Sequence, residues 1–214
     1  MGLISSTHSM SRYHIDGKFD TAVMDEVRKG LIENAIPKQE NMYEELSAGW
    51  TPYESPYNPD FEKFSFIFGT YFVFSLRIDK KSIPMKLVQK EMALGIEKKK
   101  EESGRDFLSK NEKSELKETI LDVLMHKIPS IPNIYDVLWS YEDKNLFLFT
   151  TQKAANELFE TIFLNSFGLK PIRLFPYTIT ETKSGFSEAQ KDRVLSLSPL
   201  KYQKDNHAWY RHRL

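Results

Sequence analysis

FEKFSFIFGTYFVFSLRID, residues 61–79, decides the fold class of this chain. Phe64, Phe66 and Phe68 recur at every second position, the period of a strand with one face turned inward, and Gly69-Thr70 supplies a two-residue turn before the run from Tyr71 to Ile78. The stretch predicts an antiparallel hairpin. Phe64, Phe66, Phe68, Phe72 and Phe74 could also be imagined as a stacking platform for single strands, but their alternation is first the signature of a core.

Working outward, NIYDVLWSY and LFLFT flank EDKN and predict a second hairpin. Upstream, THSMSRYHID predicts a strand ending at Gly17, followed by a helix through TAVMDEVRKGLIENA. Its cap is Asp20 or Thr21; Val23, Val27 and Leu31 fall four apart, and Met24 and Ile32 widen the face. GWTPYESPYNPDFE, with three prolines and no period, predicts a loop with aromatic anchors. Downstream, TTQKAANELFETIFLNSFGLK places Ala155, Leu158, Phe159, Ile162 and Phe163 on one helical face, with Thr150 or Thr151 as cap and Gly168 as stop. PIRLFPYTIT then returns as a strand. The expected class is α+β: antiparallel sheet with packed helices and a projecting charged helical hairpin.

That hairpin lies between the two β-hairpins. A helix from Pro84 runs through MKLVQKEMALGIEKKKEE, with Met85, Val88, Met92 and Ile96 as its apolar stripe, and Gly104 ends it. Ser109 and Glu112 form a capping box that starts a second helix, ending near Met125. Its Leu116, Ile120 and Val123 are expected to pack on the Met85–Ile96 stripe. The expected organisation is a central α+β domain, residues 1–79 and 128–214, with an inserted tip lobe, residues 80–127.

On the second tip helix, at about 100° per residue, Lys110, Lys113 and Lys117 share one side while Glu115, Glu118 and Asp122 share nearly the opposite one. With Lys80, Lys81, Lys86, Lys90, Lys98, Lys99, Lys100, Arg105 and Lys127, the lobe is locally basic, although the chain as a whole balances 30 basic against 30 acidic residues. Lysines without a base-reading motif suit phosphate contact that is independent of sequence. The plainer alternative is a solvated face held by Glu–Lys pairs at helical spacing.

With 214 residues, 40% of them hydrophobic, the chain is long enough to bury a core. The absence of cysteine removes disulfides, thiolate metal sites and a cysteine nucleophile, and fits a reducing cytoplasm. No segment has the apolar length of a spanning helix, so no membrane partner is expected. MGLISS matches the short N-myristoylation pattern without a second membrane signal.

The order of blocks resembles the RdgC family of bacterial recombination-associated DNA-binding proteins. The blocks are GWTP, FSLRIDKKSIP, KLVQKEMALGIEKKK, FLSKNEKSELKETILDVLMHKIPSIPNIYDVLW and TQKAANELFETIFLNSFGLKPIRLFPY, spanning residues 1–177 and densest over 80–169. The resemblance implies a homodimer that closes around double-stranded DNA without sequence preference and restrains the recombinase RecA. It also implies a cytoplasmic, nucleoid-associated location. Ring-forming members continue further at the C-terminus, so an open clamp, or a dimer joined only through the tips, stands here as the alternative to a closed ring. Ile128, Ile131 and Ile134 are the candidate apolar subunit contact, with local packing as the alternative.

Descriptions of the family also mention an exonuclease. Pro59-Asp60 followed by Asp79-Lys80-Lys81 loosely resembles the Pro-Asp…Asp-x-Lys pattern of nucleases, in which Asp60, Glu62 and Asp79 would hold Mg²⁺ and Lys81 would position water. Against it stand a turn Asp60 and a strand-end Asp79 paired with neighbouring lysines. His8 and His14 lack a third metal partner, and His126 suits a helix C-terminus. The expectation is a DNA-binding protein without catalysis or cofactor. The alternatives are a Mg²⁺-dependent exonuclease and a protein-interaction module. Trp50 and Trp139 are expected in the core, and Trp209 as an exposed anchor.

Overall fold

The computed structural model describes residues 2–37, 44–182 and 185–197, and it divides into two compact units, Met1–Arg173 and Leu174–Leu214. Trp209, His207 and His212 lie outside the described residues.

In the first unit, seven strands form one antiparallel sheet. They are β1 (Ser11–Asp16), β2 (Leu46–Pro52), β3 (Ile67–Phe68), β4 (Tyr71–Lys80), β5 (Ile131–Ser140), β6 (Asn145–Leu148) and β7 (Lys170–Arg173). Their order is β2-β4-β5-β6-β1-β7, with β3 paired to β4. Helices α1 (Val23–Glu33) and α4 (Lys153–Phe167) cover one face, while α2 (Met85–Ser103) and α3 (Lys110–Lys127) form the hairpin between β4 and β5. The α+β class and the helical hairpin are as the sequence predicts. The second unit contains α5 (Pro176–Thr182) and α6 (Glu188–Leu195).

The core is aromatic. Trp50 and Trp139 are fully buried, with Trp50 5.1 Å from Phe74, and Trp139 5.1 Å from Phe163 and 5.3 Å from Phe167 between ring centroids. Burying each such side chain contributes about 1.5–3 kcal/mol, and each edge-on ring pair about 0.5–1.5 kcal/mol more. The Trp50 indole donates to Ser166 Oγ at 2.7 Å, tying β2 to α4. Tyr13 ties β1 to the same helix, its hydroxyl 2.6 Å from Asn156 Oδ1 and 3.0 Å from Glu160 Oε1. Burial first, then the Glu160 charge, pushes that hydroxyl's pKa upward.

The hairpin's first arm is shorter than the alternation predicts, only Ile67–Phe68, with Phe68 exposed; four further local expectations need correction. GWTP is not loop: Gly49, Trp50, Thr51 and Pro52 end β2, buried on both faces, so no alternation marks them. Pro52 is tolerated because it is the last residue of β2, the strand that ends the sheet order and whose outer edge bridges Ala35 at Trp50. At α1, the residue before the helix is Ala22, without a side-chain cap; Thr21 Oγ1 donates to Glu26 Oε1 instead, and Met24 and Ile32 stay exposed. At α4, Thr150 and Thr151 do not cap; Gln152 holds that position, and Leu158 and Ile162 are half-buried while Phe159, Phe163 and Phe167 fill the core. Finally, the strand after α4 stops at Arg173, and Pro176 opens α5, where its missing N–H costs nothing.

Candidate nucleic-acid interface

The tip hairpin is set by its ends. Gly104 closes α2 with φ +63°, a left-handed conformation that suits glycine. Ser109 opens α3 through a complete capping box: Ser109 Oγ accepts from the Glu112 N–H at 3.3 Å, and Glu112 Oε2 accepts from the Ser109 N–H at 2.8 Å. Arg105 binds the other Glu112 oxygen at 2.6 Å. The Ser109 backbone N–H, followed by Arg105, holds the Glu112 carboxyl down at about 2.

The seam between the tip helices differs from the expected one. Met85 and Val123 are exposed; Val88 and Leu124 are the buried residues of α2 and α3. Gly95 makes the close approach, since a Cβ there would stand 3.1 Å from Leu116. This seam leaves an apolar groove of about 420 Å³ lined by Leu87, Ile120, Val123, Leu124 and Ile128, with Glu91 and Lys127 at its rim.

The basic residues fall into three groups. Lys80, Lys86, Lys90, Lys110, Lys113, Lys117 and Lys127 are exposed and form no ion pair among the described residues; Lys99 and Lys100 are half-buried and likewise unpaired. Lys98 approaches Glu102 at 3.9 Å, and Arg105 is committed to Glu112. Lys81 is a correction. At 3% exposure it is buried, and its ammonium donates to the Met125 carbonyl at 3.3 Å, so its charge is held inside the root of the tip and not on its surface. Its position was obscured because the partner lies 44 residues away, at the C-terminal end of α3.

The nuclease constellation does not assemble. Arg77 takes both oxygens of buried Asp79, at 2.7 and 2.6 Å. Asp60 accepts the backbone N–H groups of Glu62 and Lys63 and pairs with the Lys63 ammonium at 3.1 Å, which chiefly holds its pKa below the ordinary carboxylate value. With Lys81 turned into the tip root, the set Asp60, Glu62, Asp79 and Lys81 does not fit a Mg²⁺ site. Among the described residues no group of three carboxylates or histidines stands ready for a metal. Of the three isoleucines, Ile128 is half-buried at the groove, Ile131 is 58% exposed at the start of β5, and Ile134 is half-buried opposite Arg77.

A family model described as "Putative exonuclease, RdgC" matches residues 8–184. The chain belongs to the RdgC family. The match takes in all seven strands, the tip hairpin and α5. No curated protein sequence matches the chain. Among the described residues no helix is long and apolar enough to cross a membrane.

Proposed function

We propose that this RdgC-family chain binds double-stranded DNA without sequence preference, holding phosphates through the lysines of the tip. Holding DNA as a dimer, it would limit RecA-mediated recombination by occupying the substrate. The observation that carries this reading is the charge of Lys110, Lys113 and Lys117 along one side of α3, unpaired among the described residues, as are Lys86 and Lys90 on α2. A solvated hairpin stabilised by Glu–Lys pairs would have used those lysines locally, whereas a phosphate-binding one leaves them to the ligand. Ile131 and the groove beside Ile128 are the subunit contact in this proposal, and the place of action is the nucleoid.

The reading is tested by titrating a labelled duplex of arbitrary sequence in EDTA across a salt series. Binding that weakens steeply with salt and collapses in a Lys110→Glu/Lys113→Glu/Lys117→Glu variant supports it. Absence of duplex binding at low salt overturns it and favours a protein partner. Sedimentation of an Ile131→Asp variant tests the dimer in the same preparation.

A further inference from the structure

Among the described residues of the first unit, the sheet is covered on both faces over one half and on a single face over the other. In β4, Val73, Ser75 and Asp79 are as buried as Phe72, Phe74 and Ile78, which point the opposite way. The N-terminal segment and the loop after β2 provide that cover. The Leu3 N–H donates to Asp136 Oδ2 at 2.7 Å, Ser75 Oγ donates to Asp136 Oδ1 at 2.9 Å, and the Arg77 guanidinium lies 5.7 Å from the Tyr57 ring centroid. β1 and β6 behave differently. Tyr13, Ile15, Leu146 and Leu148 are buried, while Arg12, His14, Asn145 and Phe147 on the other face are exposed or half-buried.

On this open half the register places Leu138, Phe147 and Arg12 in one row across three strands, with Asn145, His14 and Ile172 in the next. The Arg12 guanidinium lies over the Phe147 ring at 5.8 Å and donates to Asn145 Oδ1 at 2.9 Å. Neither partner is an acid, so among the described residues its charge is unmatched there. Lys170 stands exposed at the margin, in register with Asp16, the one acid of these rows.

We propose that the open half of the sheet, centred on the Arg12–Phe147 stack and bordered by His14 and Lys170, is a binding site for a single nucleic-acid strand. A row of half-buried apolar side chains capped by a guanidinium plane accepts the face of any base, and the Arg12 and Lys170 charges suit its phosphates. A duplex keeps its base faces stacked inside and gains little from such a surface. The proposal stands on the sheet's uneven cover and is independent of the tip lysines.

The test is fluorescence anisotropy of labelled oligo-dT, with a blunt duplex in parallel, for wild type, Arg12→Gln, Lys170→Gln, Phe147→Ala and the better-packed Phe147→Leu. Oligo-dT affinity is expected to fall about threefold or more in each charge variant, and about tenfold in Phe147→Ala, with duplex affinity within about twofold of wild type. Wild-type oligo-dT affinity in Arg12→Gln and Phe147→Leu overturns the site, as does a wild type that binds no oligo-dT. So does loss of oligo-dT binding in the tip-lysine variant alone, which would assign single strands to the tip. Failure of the duplex reading has a different signature: oligo-dT binding persists while duplex binding is absent.

Discussion

The Lys81 ammonium lies 3.3 Å from the carbonyl oxygen of Met125, joining the exit of β4 to the last turn of α3. A buried cation at a helix C-terminus is favoured by the carbonyls gathered there. The side chain therefore fixes the root of the tip, while the lysines beyond it remain in solvent.

Replacing Lys81 with Met keeps most of the apolar stem and removes the donor. The expected loss is about 1.5–3 kcal/mol of stability, the range for hydrogen bonds to charged groups. Thermal unfolding measures the loss, and amide exchange locates it at the C-terminal turn of α3. Duplex affinity measured below the lowered melting point should be unchanged. A DNA defect without a stability defect would mean that Lys81 meets phosphate after all.

Gly30 on α1 sits against α4, where a Cβ would stand 2.5 Å from the Ser166 carbonyl oxygen and 2.7 Å from the Phe167 ring. Both neighbours are fixed, one as backbone and one as a core ring. Gly30→Ala should therefore cost about 1–3 kcal/mol despite alanine's better helix propensity, because the two helices must separate. Chemical denaturation provides the measurement, with exposed Lys29→Ala as the neutral control. A stabilised Gly30→Ala would show that the helices approach less closely.

What the sequence disclosed follows from the range of the interactions involved. The Ser109–Glu112 box, the turns at Gly69 and Gly104 and the stop at Gly168 are settled within four residues, and each is found where local chemistry places it. GWTP was hidden because burial on both faces erases alternation. The burial of Lys81 and the exposure of Val123 depend on how α3 returns against α2, and the open face around Phe147 depends on which half of the sheet the N-terminal segment covers. None of these is encoded in neighbouring residues.

Glu112 gives the tip an acid-sensitive start. Its carboxyl is held at about 2 against an ordinary value of 4.5, by the Ser109 N–H first and Arg105 next. A depressed folded-state pKa contributes stability that is complete above 4.5 and lost as pH falls toward about 2. Amide exchange in the first turn of α3 should accelerate, relative to the sheet, as pH drops through that window. In Glu112→Gln the window should vanish, because the amide keeps an acceptor for the Ser109 N–H but carries no charge to lose. Identical pH profiles in the two proteins would remove the charged cap as the cause.

Lys110, Lys113 and Lys117 each stand exposed without an acid partner among the described residues, so each can neutralise one phosphate. Each released counterion adds about 0.9 to the slope of log affinity against log salt on duplex DNA. Changing all three lysines to Gln should flatten that slope by about 2.7 if all three touch phosphate at once, and by about 0.9 per contact if fewer do. The weakening should be uniform across duplex sequences, since phosphate contacts carry no base information. Single Gln variants then assign the contacts one by one. A slope unchanged in the triple variant would move the phosphate contacts off α3, to Lys86 and Lys90 on α2 or away from the tip altogether.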